Sequence, residues 1–389
     1  MIPLKYNARN LRVRWVTTVL TMVGTGAIVW SSCILFGLVE GLQYSLKVSG
    51  DPLDIIVMRK GSTSETNSGI ELNTAEKLVN LPGIMRDDKG RPMAALELLN
   101  IPVVERIDGS RTNLIIRGID PVSPLLRPDF HILKDQGRML EPGKGECIVS
   151  KNLAKRFKGA ALGGELKCGE REKYRVVGIF AAGGSSAESE VWVDRKNLEQ
   201  NTAREGITSS VQIRAATEAD LKSIKNTIEN DTQFKLAALR ETEYFADQSR
   251  SSVFLQVAGT IIAVLLTIGA MFAAANTMYA AVRSRTREIG TLRALGFSQT
   301  DVLFCFLGES VMLCTLGGLL GLVATLPLSV ITYGTNNFNT FAEVTVSFRF
   351  GPLVMIVAFL MTLAMGVFGG LFPALRAVRM DVITALREV

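Results

Sequence analysis

The chain has 389 residues, 48% of them hydrophobic and 21% charged, with a formal net charge of +6 and a mean hydropathy of +0.26. These values exclude a disordered chain, a collagen-like repeat and a disulfide-dense secreted scaffold. The apolar residues are gathered in four blocks, each longer than the roughly 20 residues that cross a bilayer. One such block is compatible with a buried core helix; four together are read as membrane spans.

In chain order, residues 1–14 are read as a cytoplasmic N-terminal helix and residues 15–42 as the first span. A signal peptide is the rival reading of that first block. Its apolar run is too long, however, and passes through Gly37 and Gly41 without a small-x-small cleavage site, so it is expected to be a retained anchor. Residues 43–252 form a polar stretch large enough for its own core. The second span follows at 253–282, a cytoplasmic loop at 283–301, the third span at 302–333, a short external loop at 334–351, the fourth span at 352–375 and a cytoplasmic C-terminus at 376–389. The expected fold class is a membrane protein of four transmembrane helices, with a large mixed α/β extracytoplasmic domain between helices 1 and 2.

Charge placement sets the orientation. Residues 1–14 (Lys5, Arg9, Arg12, Arg14), 283–301 (Arg283, Arg285, Arg287, Arg293) and 376–389 (Arg376, Arg379, Arg387) hold 11 basic residues against Glu288, Asp301, Asp381 and Glu388. The 43–250 stretch is nearly balanced, with 31 basic and 30 acidic residues. The basic excess is therefore the positive-inside bias of a multi-pass protein with both termini in the cytoplasm, and no nucleic-acid footprint is read from it.

Within the outer domain, Leu53–Met58, Leu114–Gly118, Glu146–Val149 and Tyr174–Phe180 read as strands, and Asn73–Leu81 as a short helix ended by Pro82-Gly83. Val211–Arg214, a helix from Thr217 to Asn230 and Phe234–Leu239 read as a β-α-β run, with Thr217 and Asp220 at capping-box spacing. Gly183–Ser186 reads as a mobile surface loop. Cys33, Cys305 and Cys314 fall in spans. Cys147 and Cys168 lie outside, where either a bridge or two buried thiols is compatible with the sequence.

The candidate chemistry is sparse. His131 is the one histidine and has no positioned nucleophile in the sequence around it; Gly143-Lys144-Gly145 lacks the glycine spacing and the Ser or Thr of a P-loop. No catalytic, metal-binding or cofactor-binding residue is assigned, and energy for any work is expected from another polypeptide. Glu309 is the ionisable residue that sits well inside an apolar block, about 10 Å from the start of its helix. It is compatible either with binding the 283–301 loop or a neighbouring span, or with the headgroup region. Gly37 and Gly41, Gly317 and Gly321, and Gly366 and Gly370 each have the G-x-x-x-G spacing of close helix packing.

The loop itself carries the most specific pattern. Ile289, Leu292 and Leu295 share one face of a short amphipathic helix, Gly296 stands where a C-terminal glycine ends it, and Ser298 caps the next span. The run Arg287-Glu288-Ile289-Gly290-Thr291-Leu292-Arg293-Ala294-Leu295-Gly296, with Glu309-Ser310 further on, resembles the signature of MacB/FtsX-type ABC transporter permeases. So do Phe372-Pro373-Ala374-Leu375-Arg376-Ala377 and Ala385-Leu386-Arg387 near the end, although Val382-Ile383-Thr384 stands where the family often has a proline. Gly118-Ile119-Asp120-Pro121, Gly137-Arg138 and Val176–Phe180 are similar to parts of the MacB-type periplasmic core domain.

The resemblance implies a permease subunit of the mechanotransmission class without the fused ATPase of MacB, in the bacterial inner membrane. It implies a homodimer or a heterodimer with a related permease, in contact with membrane lipid and with two copies of a separate ABC ATPase that hold ATP and Mg. A periplasmic adaptor and an outer-membrane channel are also implied. Arg287, Glu288, Ile289, Leu292, Arg293 and Gly296 are expected to couple the ATPase to the spans, with Ile289 and Leu292 filling a groove in it. Export or extraction of a peptide, drug, glycolipid or lipoprotein is the expected work. An FtsX-like regulator of a cell-wall hydrolase is the alternative, and a membrane-anchored enzyme is a third reading that lacks a nucleophile-base pair.

Overall fold

The computed structural model describes residues 15–127, 129–169, 172–231, 235–336 and 342–380. Readings that fall on residues 1–14, Phe234 and 381–389, including Lys5, Arg9, Arg12, Arg14 and Ala385-Leu386-Arg387, lie outside the described residues. In chain order the elements are α1 (Trp15–Ser49), β1 (Asp54–Arg59), β2 (Ile70–Glu71), α2 (Leu72–Leu78), β3 (Ala94–Asn100), β4 (Val103–Glu105), β5 (Arg111–Asn113), β6 (Ile115–Ile119), β7 (Phe130–Gly137), β8 (Glu146–Ser150), β9 (Glu165–Cys168), β10 (Glu172–Ala182) and β11 (Glu190–Asp194). They continue with α3 (Arg195–Thr202), β12 (Ile207–Thr208), β13 (Ser210–Arg214), α4 (Glu218–Asn230), β14 (Leu236–Arg240), α5 (Glu241–Arg283), α6 (Thr286–Ala294), α7 (Gln299–Thr325), β15 (Thr332–Asn336), β16 (Glu343–Ser347) and α8 (Pro352–Val378). Helices α1, α5, α7 and α8 are long and apolar enough to cross a membrane.

The chain divides into two compact bodies. One holds α1 up to Glu40, Val253–Ile331 and the chain from Phe348; the other holds Gly41–Ser252 and Thr332–Ser347. In the first, small residues set the helix packing. A Cβ at Gly317 would lie 2.6 Å from Met22 O, one at Gly321 2.4 Å from Gly26 O, and one at Gly366 2.7 Å from Val311 Cα. A Cβ at Gly370 would meet Ser310, and one at Gly37 would meet Phe350. These glycines let α7 approach α1, and α8 approach α7, within one chain. Gly41 belongs to the second body, where it packs against Ser347 O.

The second body is built on one ten-stranded sheet of order β14-β1-β13-β3-β6-β11-β8-β10-β7, with β9 added to β10. Pairs β6–β11 and β8–β10 are parallel and the rest antiparallel. Two large apolar clusters pack on it, beside smaller ones around Trp192, Tyr244 and Leu126. Ile55, Val57, Leu96, Val211 and Ile213 pack with Leu221, Ile224 and Ile228 of α4, whose three-and-four spacing presents one face. Leu98, Ile116, Val149, Val176, Val191 and Leu198 form the other core with Cys147 and Cys168. The helix start read at Thr217 is observed, its side chain accepting from Asp220 N–H at 3.2 Å. Gly137 and Gly178 stand opposite each other across β7 and β10. Gly137 has φ +94°, and a Cβ on either would strike the facing backbone, so this crossing requires glycine.

Several boundaries differ from the sequence reading. Between β13 and β14 of the β-α-β run lies β1, paired to both through its backbone, while its Ile55 and Val57 share one face of the sheet and pack into the cluster with α4. The third span ends before Tyr333: Pro327 tightens the chain into a turn of 3-10 helix over Leu326–Val330, and Tyr333 belongs to β15. The expected loop at 334–351 is largely a β-hairpin, β15–β16, that belongs to the sheet-bearing body. Gly183–Ser186 is tethered where a mobile loop was expected. Glu188 accepts from Ala182 N–H and Gly184 N–H, and Ser186 N–H donates to Ser49 Oγ at 2.7 Å. Cys147 and Cys168 are free thiols. Burial pushes Cys147 up to about 12, and burial followed by the nearby Cys147 and Glu172 raises Cys168.

Candidate functional site

Helix α6 is a nine-residue elbow between two long apolar helices. Its end follows from local chemistry. Gly296, at φ +94°, adopts the left-handed conformation, Phe297 N–H donates to Leu292 O at 3.2 Å, and Gly296 N–H donates to Arg293 O at 3.1 Å. That is the paired bonding of a Schellman stop. Ser298 then starts α7, its hydroxyl accepting from Asp301 N–H at 3.1 Å while Asp301 accepts from Ser298 N–H at 3.2 Å. Four residues, Leu295 to Ser298, join the two helices.

Three contacts fasten the elbow. Arg285, at its N-cap position, donates from Nη1 to Glu309 Oε2 at 2.7 Å and from Nη2 to Oε1 at 3.1 Å, and both side chains are buried. Arg293 Nη1 donates to Val378 O at the end of α8 at 2.8 Å. Ile289, 1% exposed, enters a cluster with Met278, Val282, Val302, Phe306, Ala374 and Ala377. One short helix is thus tied to the ends of α5, α7 and α8.

The structure therefore corrects the reading of Ile289 as a groove-filling contact for a partner. The side chain faces its own core, because a three-residue spacing on so short a helix turns Ile289 inward while Leu295, past the last turn, faces out at 73% exposure. Arg287 and Glu288 are exposed, Leu292 and Arg293 half-buried, and Gly296 has nothing near its Cα that a side chain would meet. Glu309, one of the two partners expected for it being the 283–301 loop, meets Arg285 at the elbow's start. Arg285, left among the generic basic residues by sequence reading, is its partner; its one signal was a second charge abutting the elbow.

A second polar constellation lies inside the sheet-bearing body. Arg117 of β6 donates to Glu65 (3.0 Å) and to Glu190 from Nε (2.6 Å), and pairs with Glu97; Arg127 also binds Glu97, at 2.7 Å. Trp192 Nε1 donates to Glu190 at 3.1 Å. Burial alone would raise the Glu65 carboxyl, but the Arg117 charge and hydrogen bonds hold it below its ordinary value. All three guanidinium nitrogens of Arg117 are engaged, while Glu97 Oε1 is buried with no hydrogen-bond partner among the described residues; the network borders a polar gap of about 10 Å³, too small for a ligand. Among the described residues no cluster of His, Cys, Asp and Glu is suited to a metal.

Comparison with known proteins agrees with this anatomy. Residues 18–231 match the MacB-like periplasmic core domain family and residues 260–382 the FtsX-like permease C-terminal family. The chain is 28% identical over 228 residues to the macrolide export ATP-binding/permease protein MacB 2 of Yersinia pestis bv. Antiqua (strain Antiqua), covering 55% of this chain and 32% of that protein. It is 36% identical over 132 residues to MacB of Escherichia coli O157:H7, covering 34% and 19%. The chain thus spans about a third of the length of the first of these relatives, and their ATPase region is outside the match. Among solved structures, the periplasmic region of MacB from Actinobacillus actinomycetemcomitans aligns with a TM-score of 0.38 at 8% identity, covering 52% of this chain and 94% of that one. The extracellular domain of the transporter YknZ from Gram-positive bacteria aligns at 0.37 and 15%, covering 48% and 99%. The chain, with a periplasmic-core match over more than half its length and an FtsX-type C-terminal region over the spans that follow, belongs to the MacB/FtsX family of ABC transporter permeases.

Proposed function

We propose that the chain is the permease subunit of an ABC exporter, working as one half of a homodimer or heterodimer in the bacterial inner membrane with both termini cytoplasmic. Two copies of a separate ATPase, which hold the ATP and Mg, push on α6, and the movement passes to the outer domain for export or extraction of a substrate. An adaptor and an outer-membrane channel extend the path. The observation that supports this reading is the fastening of α6 to α5, α7 and α8 through Ile289, Arg293 and the Arg285–Glu309 pair. A short helix anchored at three points moves with the spans, whereas a loosely held one dissipates a push. Arg287, Glu288, Leu292 and Leu295 supply the partner-facing side, with Ile289 as the anchor and Gly296 as the stop.

The direct test is co-purification with a candidate ABC ATPase and stimulation of its hydrolysis by the chain in nanodiscs. Leu292→Asp and Gly296→Pro are expected to abolish stimulation. Assembly and transport left intact by both substitutions count against the coupling assignment. A cell-wall hydrolase captured by the full chain, with no exported substrate, would favour the FtsX-like regulator.

A further inference from the structure

The sheet-bearing body contains a cavity of about 450 Å³, within the size range of small-molecule sites. Its floor is apolar and well supported. Ile119, at the end of β6, belongs to a buried cluster with Phe180 and Trp192, and Phe130, Ile132, Met139 and Leu140 pack against that cluster while lining the cavity. Phe130 stacks on Trp192, with ring centroids 4.8 Å apart and planes at 12°. Pro121, Pro124 and Pro142 complete the wall with fixed φ and no N–H to offer.

The charged side chains of the cavity are Arg91, Asp120 and Asp194. Strands β6 and β11 run parallel with Asp194 opposite Ile119, so Asp120 and Asp194 emerge side by side at the ends of neighbouring strands. Asp120 is fully engaged: Oδ1 accepts from Arg195 Nε at 2.9 Å and Oδ2 from Leu96 N–H at 3.1 Å. Arg91 is paired with Asp87 at 2.7 Å. Asp194 differs from both. It is 7% exposed and caps α3 through Oδ2, which accepts from Asn197 N–H at 3.3 Å. Among the described residues its Oδ1 has no hydrogen-bond partner, and no Lys or Arg forms an ion pair with it.

We propose that this cavity binds a compact amphipathic amine, its ammonium on Asp194 Oδ1 and its apolar body on Phe130, Ile132 and Met139. A carboxylate held this far from water is stabilised by a cation that brings hydrogen-bond donors, and the surrounding side chains supply none. One open carboxylate oxygen is too few for a calcium or magnesium ion, which takes six or more oxygens, and suits a single ammonium. An anion would meet two carboxylates with Arg91 already paired. The inference concerns binding alone, goes beyond the permease reading and needs neither an ATPase nor transport.

Trp192, beneath Phe130, reads binding by its fluorescence in the full chain in phosphatidylcholine nanodiscs once Trp15 and Trp30 are replaced by Phe. The probes are phenylbutylamine, phenylbutanol and phenylbutanoate, which share an apolar body and differ in charge, with empty nanodiscs as the blank for partitioning. The amine is expected to saturate the signal with an affinity about tenfold or more above that of the alcohol, as for a hydrogen bond to a charged group, and the anion to bind weakest. Asp194→Asn keeps a good helix cap and is expected to bring the amine down to the level of the alcohol, whose own affinity stays unchanged. Equal affinities for amine and alcohol, a response that never saturates, or an unaltered amine preference in Asp194→Asn overturns the site. Should the variant fail to fold, the ranking of the three probes with Asp194 in place decides. The readout involves neither ATP nor transport, so failure of the permease assignment would be seen separately.

Discussion

Arg285 and Glu309, 24 residues apart, face each other as a buried two-point ion pair that joins the start of the elbow helix to the third apolar helix. Each charge is out of water and balanced by the other. Removing one therefore strands its partner, which typically costs about 3–5 kcal/mol, while replacing both with apolar residues of similar volume is often close to neutral. Arg285→Met and Glu309→Leu are each expected to lower the thermal midpoint of the chain in detergent sharply, and the double variant to recover most of the loss. Additive losses in that cycle would mean that the two side chains act separately.

Gly296 stops the elbow by adopting φ +94° in open space. Gly296→Ala meets no neighbour, so its cost is the left-handed backbone itself, about 1–2 kcal/mol. Gly296→Asn should cost less. Gly296→Pro also removes the N–H that bonds Arg293 O, and is expected to be the most damaging of the three. Calorimetric midpoints ordered otherwise would show that the turn is held by something besides its backbone.

The Arg117 network gives the outer domain an acid-sensitive core. Glu65 is held below its ordinary 4.5, so its contribution is present above that value and disappears as pH falls through the lower, folded-state value. Arg117→Met leaves Glu65 and Glu190 without a cation, while Glu97 keeps Arg127, and is expected to cost about 3–5 kcal/mol at neutral pH. The variant should also lose the acid-side fall in stability that Glu65 causes in the native chain. Trp192, fully buried and bonded to Glu190, reports both through its emission. A variant with native stability and an unchanged acid limb would count against the network.

Glu343 pins the β15–β16 hairpin to the sheet-bearing body. Arg106 donates to it from Nε at 2.9 Å, Arg156 pairs with it and reaches Thr345 Oγ1 at 3.2 Å, and Thr345 N–H donates to Ser189 Oγ at 2.9 Å. The arginines are partly hydrated, so Glu343→Gln is expected to cost about 1–3 kcal/mol and to act locally. Faster hydrogen exchange confined to segment 332–347 is the expected result. Unchanged exchange there would leave the hairpin held by its backbone alone.

Much of the elbow was legible because its signals act over a few residues. Gly296 and Ser298 specify a stop and a start through their own backbone bonds, and the apolar blocks declare themselves by length. The outward face was not legible. Ile289, Leu292 and Leu295 have one chemical character, and only the neighbouring α5, α7 and α8 decide that Ile289 is the one enclosed. The hairpin at 332–347 escaped notice because two five-residue strands beside a span read as loop until a surface is there to receive them.

By itself the sequence determined the number of the long apolar helices, the charge bias around them, strands β1, β6, β8, β10, β13 and β14 and the stop of α6 at Gly296, all consequences of hydrophobic length and local backbone preference. The tertiary structure decided which charges meet. Glu309 with Arg285 and Glu343 with Arg106 are joined across 24 and 237 residues. A buried charge is stable only where a partner or a proton compensates it, and sequence distance says nothing about which partner the fold brings near.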